Sequence, residues 1–122
     1  MNSKPPRFDQ AFLKKQRQRL MKLRDELLRS IRDAQSEETG VHSASVGEAH
    51  EFEEDAQKLA MLENEQNLID RSRQRLRDIE RALQKIEDGS YGLSDVSGEP
   101  IPPERLKAVP EAIVTTSEAK KR

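Results

Sequence analysis

Hydrophobic residues recur at helical spacing in the first part of the chain. Residues 9–34 contain neither Gly nor Pro, and they are rich in Lys, Arg, Gln, Leu and Glu, which favour helices. Apolar residues that follow one another at intervals of three or four lie on one face of a helix. The pattern therefore predicts a first helix over this range. The residues of its apolar stripe are Leu13, Leu20, Leu23, Leu27 and Ile31.

A second stripe follows a polar stretch. Gly and Ser cluster in residues 35–47, which predicts a tip loop at about residues 35–50. Ser45 and Glu48 have the spacing of a capping box, so we expect the next helix to begin there. It is expected to continue until Gly89, a residue type that commonly ends helices. Its apolar seam consists of Leu62, Ile69, Leu76, Ile79, Leu83 and Ile86.

Two helices that each carry a seam, with a loop between them, favour an antiparallel hairpin over residues 9–88. A parallel dimer is the alternative, because heptads do not state which helix is the partner. The hairpin is preferred because each chain can cover its own seam, and we therefore expect a monomer. Residues 1–8 contain two prolines and are expected to be a disordered lead-in.

Glycines and prolines divide residues 89–122 into short pieces, which predicts a small module and a short tail. A domain of this size usually needs a metal or a disulfide. The chain has no cysteine, so disulfides and thiolate metal sites are excluded. The apolar residues that are expected to form a small core here are Tyr91, Leu93, Val96, Ile101, Leu106, Val109, Ile113 and Val114.

Composition agrees with a mainly α, coiled-coil protein. Hydrophobic residues make up 33% and charged residues 37% of the chain, so a thick core is not available. No apolar run is long enough for a membrane span, and the N-terminus lacks the apolar segment of a signal peptide. A cytoplasmic protein is the expectation. No Ser, His and acidic residue are spaced for nucleophilic catalysis, so we do not expect an enzyme.

Charge is distributed in blocks although the net charge is only −1. Residues 1–36 carry ten Lys/Arg and four Asp/Glu, whereas residues 37–55 carry seven acids and no Lys or Arg. The chain as a whole lacks the basic excess of a DNA-binding protein, and sequence-specific DNA binding is not expected. The acidic cluster between the two helices is the notable feature, because carboxylates this close together repel one another.

Residues 88–101, followed by Arg105-Leu106-x-Ala108-x-Pro110-x-Ala112, resemble the zinc finger of the DksA/TraR family. The Tyr-Gly, Gly-x-Pro-Ile and Arg-Leu-x-Ala-x-Pro-x-Ala elements of that finger are present at the family's spacing. The resemblance implies a long helical hairpin with a zinc-finger-like module at its C-terminal side. Its four metal positions fall on Ser94, Ser97, Thr115 and Glu118. Hydroxyls are poor zinc ligands, so a metal-free module without any cofactor is expected.

The family inserts its coiled-coil tip into the secondary channel of bacterial RNA polymerase, which implies the same partner and a role in initiation. The family's Asp-x-x-Asp-x-Ala tip signature falls on Glu51, Glu54 and Ala56, with Glu in place of Asp. Arg71 and Arg75 lie on a charged helix face and are candidates for docking on polymerase. Arg105 matches a basic position of the family's finger and is a third docking candidate.

Two other functions stay open at this point: a structural or adaptor coiled coil without polymerase activity, and a Gre-like accessory to transcript cleavage. The need for the alarmone ppGpp, a partner of some family members, is also open. Asp78 stands where those members carry a basic residue, which disfavours an anionic nucleotide. Because the finger's skeleton is kept around four replaced ligands, we expect a zinc-independent version of the family.

Overall fold

The computed structural model describes residues 8–44 and 52–121. Four helices occur within these ranges: α1 (Gln10–Ala44), α2 (Phe52–Asp88), α3 (Pro103–Ala108) and α4 (Thr116–Ala119). The mainly α character predicted from the apolar stripes is therefore confirmed. In the described part of the chain, no helix combines the length and apolarity needed to cross a bilayer.

Helices α1 and α2 pack against each other along their apolar stripes. Near the ends that carry the C-terminal module, Arg17 lies beside Glu87, with 3.9 Å between Nη2 and Oε1. Further along the pair, Arg24 and Glu80 line one groove. Residue numbers rise on one helix as they fall on the other, so the two helices run in opposite directions.

The end of the first long helix differs from the prediction. Helix α1 continues to Ala44, through the first part of the stretch that was predicted to be a loop. A single Gly costs a helix only about 1 kcal/mol, and extending an existing helix avoids the expensive nucleation step. The described part of helix α2 begins at Phe52. Residues 1–7 of the predicted lead-in, and the predicted capping pair of Ser45 and Glu48, lie outside the described residues. Phe8 is described, and the prediction that it belongs to a disordered lead-in is wrong, because it packs against the core.

The end of α2 at Asp88 is as predicted, and Gly89 is the reason. Gly89 has φ of 80°, a conformation that a side chain would strain. The next amide, that of Ser90, donates to the carbonyl of Lys85 at 2.9 Å. This bond is the six-to-one closure of a Schellman motif, which satisfies a carbonyl at the helix end. The chain reverses here and enters the module.

The module consists of a tight turn followed by two short helices. The turn brings Leu93 opposite Pro100 in an isolated antiparallel bridge. Proline at the first position of α3 suits its fixed φ and missing amide. The two halves of the module are joined through the backbone, because the amide of Asp95 donates to the carbonyl of Ile113 at 2.8 Å.

The core lies at one end of the long helices, where the module packs on them. It is therefore shared between the module and both helices, and is not a separate small core. Val96 does not belong to it, contrary to the prediction, because it lies on the outside of the tight turn and 71% of its surface is exposed. The buried residues of the cluster are Leu20, Ile79, Ala82, Tyr91, Ile101, Leu106 and Ala112.

Away from the module the seam between α1 and α2 is narrower. Ile31 and Ile69 are buried there, but Leu59, Met61 and Leu68 are largely exposed. Polar residues interrupt the seam on α2, and a carboxylate oxygen of Glu65 is buried without a hydrogen-bond partner among the described residues. The packing that holds the helices together is thus concentrated near the module.

Candidate functional site

Two of the three predicted tip residues lie in the described part of the chain. Glu54 and Ala56 lie in the first turns of α2 and are both exposed. The N-terminal end of a helix carries partial positive charge, which favours a carboxylate there by about 0.3–1 kcal/mol. Glu51, the third predicted tip residue, lies outside the described residues. Glu54 and Ala56 thus lie at the opposite end of α2 from the core.

The four positions that the resemblance assigns to zinc ligands lie close together in the module. Ser94 and Ser97 lie in the tight turn, and Thr115 and Glu118 lie at the start of α4. Thr115 is the N-cap of α4 and forms a reciprocal capping box with Glu118. We refer to these four residues as the polar knot. The fold therefore places these four residues beside one another.

Hydrogen bonds run across the polar knot. The hydroxyl of Ser94 donates to Oε1 of Glu118 at 2.6 Å. The same carboxylate oxygen accepts from the amide of Thr115 at 2.8 Å. Ser94 Oγ in turn accepts from the amides of Val96 and Ser97, at 3.0 and 3.2 Å. One carboxylate and one hydroxyl thus connect both halves of the module, at positions that the resemblance assigns to zinc ligands.

The hydrogen bonds to Glu118 favour its charged form. Its pKa is lowered to about 2, first because of the Ser94 hydroxyl, then because of the Thr115 amide, with a smaller contribution from the Ser97 hydroxyl. Glu118 is consequently a carboxylate at every pH at which the protein would work. Within the described residues, no group of three or more His, Cys, Asp and Glu is placed to hold a metal ion.

A second polar cluster fixes the module to α2. Lys85 is 2% exposed, and its Nζ donates to Oδ1 of Asp95 at 2.7 Å and also to the carbonyl of Leu93. Arg81 forms two hydrogen bonds with the same carboxylate, at 2.9 and 3.1 Å. The pKa of Asp95 is lowered, mainly by the hydrogen bond from Arg81. A buried ammonium is tolerated here because it has a charged partner and a second acceptor.

A third polar contact fixes the module to α1. Gln16 is 1% exposed, and its Nε2 donates to Tyr91 Oη at 3.0 Å and to the carbonyl of Leu106 at 2.8 Å. Tyr91 donates its own hydroxyl proton to the carbonyl of Pro110 at 2.9 Å. Burial raises the pKa of Tyr91, so the hydroxyl stays protonated and can donate. The N-terminal half of α1 is thereby tied to α3.

The predicted docking residues have different surroundings. Arg71 is exposed. Arg75 Nε lies 2.6 Å from Oε2 of Glu111, whose side chain is 9% exposed, so that this arginine also holds the module. Arg105 Nε donates to the carbonyl of Val114 at 3.4 Å and is half-buried. Arg71 and Arg75 are thus both exposed, but Arg75 also pairs with the module.

Sequence reasoning did not identify Gln16, Lys85 or Asp95 as structural residues. For Gln16 a signal was present: it lies between Leu13 and Leu20 on the apolar face, where a polar side chain needs a buried partner. Nothing in the sequence indicated that Lys85 is buried, because a lysine near the end of a helix is usually solvated.

No family model matches the chain. It is 33% identical over 109 residues to the RNA polymerase-binding transcription factor DksA of Caulobacter vibrioides, a match that covers 87% of this chain and 71% of that protein. Shorter matches connect residues of this chain to YteA and to general stress protein 16O of Bacillus subtilis. They are 58% and 45% identical, but cover only 17% and 31% of those proteins.

Solved structures give the same relationship. The transcription factor DksA2 of Pseudomonas aeruginosa is 25% identical with a TM-score of 0.71, and the match covers 93% of this chain and 84% of that one. The RNA polymerase-binding regulator Dks of Chlamydia trachomatis is 27% identical with a TM-score of 0.54, over 94% and 91% of the two chains. With sequence and fold alike over most of its length, the chain belongs to the DksA/TraR family.

Proposed function

We propose that the chain is a transcription regulator that binds bacterial RNA polymerase and places the tip between α1 and α2 in the secondary channel, thereby modulating initiation. The observation that carries this is the match to an RNA polymerase-binding transcription factor over 87% of the chain. Two long antiparallel helices with exposed acids at the start of α2 suit insertion into a narrow opening. In this proposal α1 and α2 are the coiled-coil hairpin, and residues 89–122 are the zinc-finger-like module.

The tip residues Glu51, Glu54 and Ala56 act near the polymerase active site, and the regulator catalyses no reaction itself. Glu54 and Ala56 are exposed and lie away from the core, which supports such a contact. Arg71 supplies a docking contact along the hairpin. Arg75 and Arg105 serve docking indirectly, because their contacts to Glu111 and Val114 set the position of the module.

The regulator acts as a cytoplasmic monomer and needs no sequence-specific contact with DNA. Each chain covers its own α1 and α2 seams, which supports a monomer. The balance of charges over the whole chain supports the lack of DNA readout. Asp78, half-buried on α2, disfavours an anionic nucleotide beside it, so that regulation is independent of ppGpp.

The module folds without zinc, and the polar knot takes the place of the metal. Glu118 accepts hydrogen bonds from Ser94 in the turn and from Thr115 at the start of α4. It thereby links the two segments that a metal would link by binding thiolates from both. Three polar contacts between the module and the long helices also hold it without a metal. They join Asp95 to Lys85, Glu111 to Arg75, and Tyr91 to Gln16. Protein purified without chelator is expected to contain far less than one zinc per chain by elemental analysis.

Binding of the purified chain to core RNA polymerase tests the proposal. A pull-down should retain polymerase, and transcription in vitro from a set of promoters should change when the chain is added. Absence of binding would instead support an adaptor that has kept the fold alone. Stimulated transcript cleavage in a stalled complex would support Gre-like action.

A further inference from the structure

A small groove lies between the N-terminal half of α1 and α3, and no residue of the polar knot lines it. Its volume is about 370 Å³. The residues that line it are Phe12, Lys15, Gln16, Arg19 and Lys107. Three of these five residues are cations and none is an acid. The groove is therefore a concentrated positive region on a chain whose net charge is only −1.

These cations are not neutralised by carboxylates. Among the described residues, no ion pair involves Lys15, Arg19 or Lys107. Lys15 and Lys107 are exposed. Residues 10–24 of α1 contain six Lys/Arg and no Asp or Glu, so no acid on the same part of the helix offsets them. In the module, the buried acid Glu111 is paired with an arginine of α2.

Arg19 is held in place without losing its charge. Its Nη1 donates to Oε1 of Gln16 at 2.8 Å, and its Nη2 donates to the carbonyl of Lys107 at 2.9 Å. Gln16 is itself fixed by its buried bonds to Tyr91 and Leu106. A guanidinium has five N–H donors, so about three remain for a ligand. Because both acceptors belong to the fold, little side-chain entropy is left to lose on binding.

We propose that this groove binds a phosphate-type oxyanion. A fixed guanidinium beside two ammonium groups suits a compact group with several acceptor oxygens and more than one negative charge. The groove is large enough for a phosphate or diphosphate, whereas an acidic peptide would require an extended groove. The ligand is a small phosphate compound, either free diphosphate or the phosphate part of a nucleotide. The proposal is independent of polymerase binding, since all its residues belong to this chain.

Titration of the full-length chain with diphosphate, followed by amide chemical shifts or calorimetry, tests the groove. Saturable binding is expected, with shifts centred on Arg19 and Lys107 and an affinity that falls as salt is added. A second titration with adenosine diphosphate distinguishes the sources: tighter binding than diphosphate assigns the groove to a nucleotide, equal binding to the diphosphate group alone. Absence of saturable binding of either compound overturns the proposal.

The double variant Lys15→Gln, Lys107→Gln removes two charges from exposed side chains and leaves the buried Gln16 bonds in place. It is expected to weaken diphosphate binding about tenfold or more, which corresponds to about 1.4 kcal/mol. The matched control is Arg29→Gln, Lys121→Gln, which removes two exposed charges elsewhere. Equal weakening in the two doubles would mean that net charge alone attracts the anion, and the site would be refuted.

Two further measurements distinguish a phosphate site from a general attraction of anions. Arg19→Lys keeps the positive charge but loses the forked N–H donors of the guanidinium. It is expected to weaken diphosphate binding, while far-UV circular dichroism and Tm stay close to those of the parent. Unchanged affinity in this variant would contradict the role given to the fork. Tighter binding of an oligoglutamate or of single-stranded RNA than of either phosphate compound would refute the assignment to a small phosphate ligand.

Discussion

The hydroxyl of Ser94 donates a 2.6 Å hydrogen bond to the carboxylate of Glu118, which follows it by 24 residues. The bond joins the turn after α2 to the start of α4. It lies at two positions that the resemblance assigns to zinc ligands, and it uses only side chains that exist in the same form in oxidising and reducing surroundings.

Replacing Ser94 with Ala should destabilise the module. Ser94 is 5% exposed, and its hydroxyl serves one acceptor and two backbone amides. Loss of such a buried partner costs about 1–3 kcal/mol of the free energy of unfolding. Thermal or urea unfolding gives the value. The control is Ser117→Ala, an exposed serine of α4, which should change the stability little; equal losses would show that the knot has no special role.

The contribution of Glu118 to the stability of the polar knot should be lost as the pH falls from 4.5 towards 2. The pKa of Glu118 is lowered to about 2 in the folded chain, below its ordinary value of 4.5. Its contribution to stability is therefore complete above pH 4.5 and is lost as pH falls through the folded value towards 2. Unfolding of the parent and of Glu118→Gln, measured from pH 7 to pH 2, should differ at pH 7 and converge at the acid end. A constant difference over this range would contradict the assignment.

Restoring four cysteines should restore a metal site. The quadruple variant Ser94→Cys, Ser97→Cys, Thr115→Cys, Glu118→Cys places thiols at four positions that already meet in the fold. We expect one zinc per chain by elemental analysis, and unfolding by a strong chelator or by peroxide. The parent should resist both reagents and retain its effect on transcription. If chelator or peroxide inactivates the parent as it does the variant, the proposed metal independence is wrong.

Replacing Lys85 with Met should loosen the module from α2. The side chain is 2% exposed, whereas its partner Asp95 is partly exposed and keeps its bonds to Arg81. Removing one member of a fully buried pair costs about 3–5 kcal/mol, and the exposure of the carboxylate places the expected loss at about 3 or below. Urea unfolding measures it, beside Lys22→Met on the surface of α1. No loss beyond that of the control would mean that the ammonium is not needed.

The double variant Glu51→Ala, Glu54→Ala should separate binding from activity. Glu54 is exposed and away from the core, so helices and polymerase affinity should change little. The effect on transcription should be abolished, because the variant lacks the tip carboxylates that are proposed to act near the polymerase active site. Glu26→Ala, Glu63→Ala removes two exposed acids from the sides of the same helices and should regulate normally. Normal regulation by the tip variant would remove the tip from the proposed mechanism.

Much of the fold was predictable because its pattern is periodic. Leu20, Ile79 and Ile69 lie at seam positions and are buried, and Gly89 ends α2 as expected. The extension of α1 to Ala44 was not predictable from residue types, since a helix that has already formed tolerates a Gly and several Ser.

The resemblance pointed to the four residues of the polar knot, but it did not predict the hydrogen bonds between them. Spacing placed Ser94 and Glu118 at corresponding positions, but only coordinates assign a donor to an acceptor. The burial of Lys85 could not be predicted, because it depends on a turn that brings Asp95 back over the helix. The groove at Arg19 is equally non-local, as it requires α3 to lie against α1.

The core lies at one end of α1 and α2, and this makes the molecule a lever. From Ile79 to Phe52 the axis of α2 extends for about 40 Å, at about 1.5 Å per residue. A tilt of roughly 5° at the module would therefore move the start of α2 by roughly 3 Å, about the full length of a hydrogen bond. Contacts such as those of Lys85 and Tyr91 thus set the position of the start of α2 relative to the module, and substitutions there are expected to alter transcription from a distance.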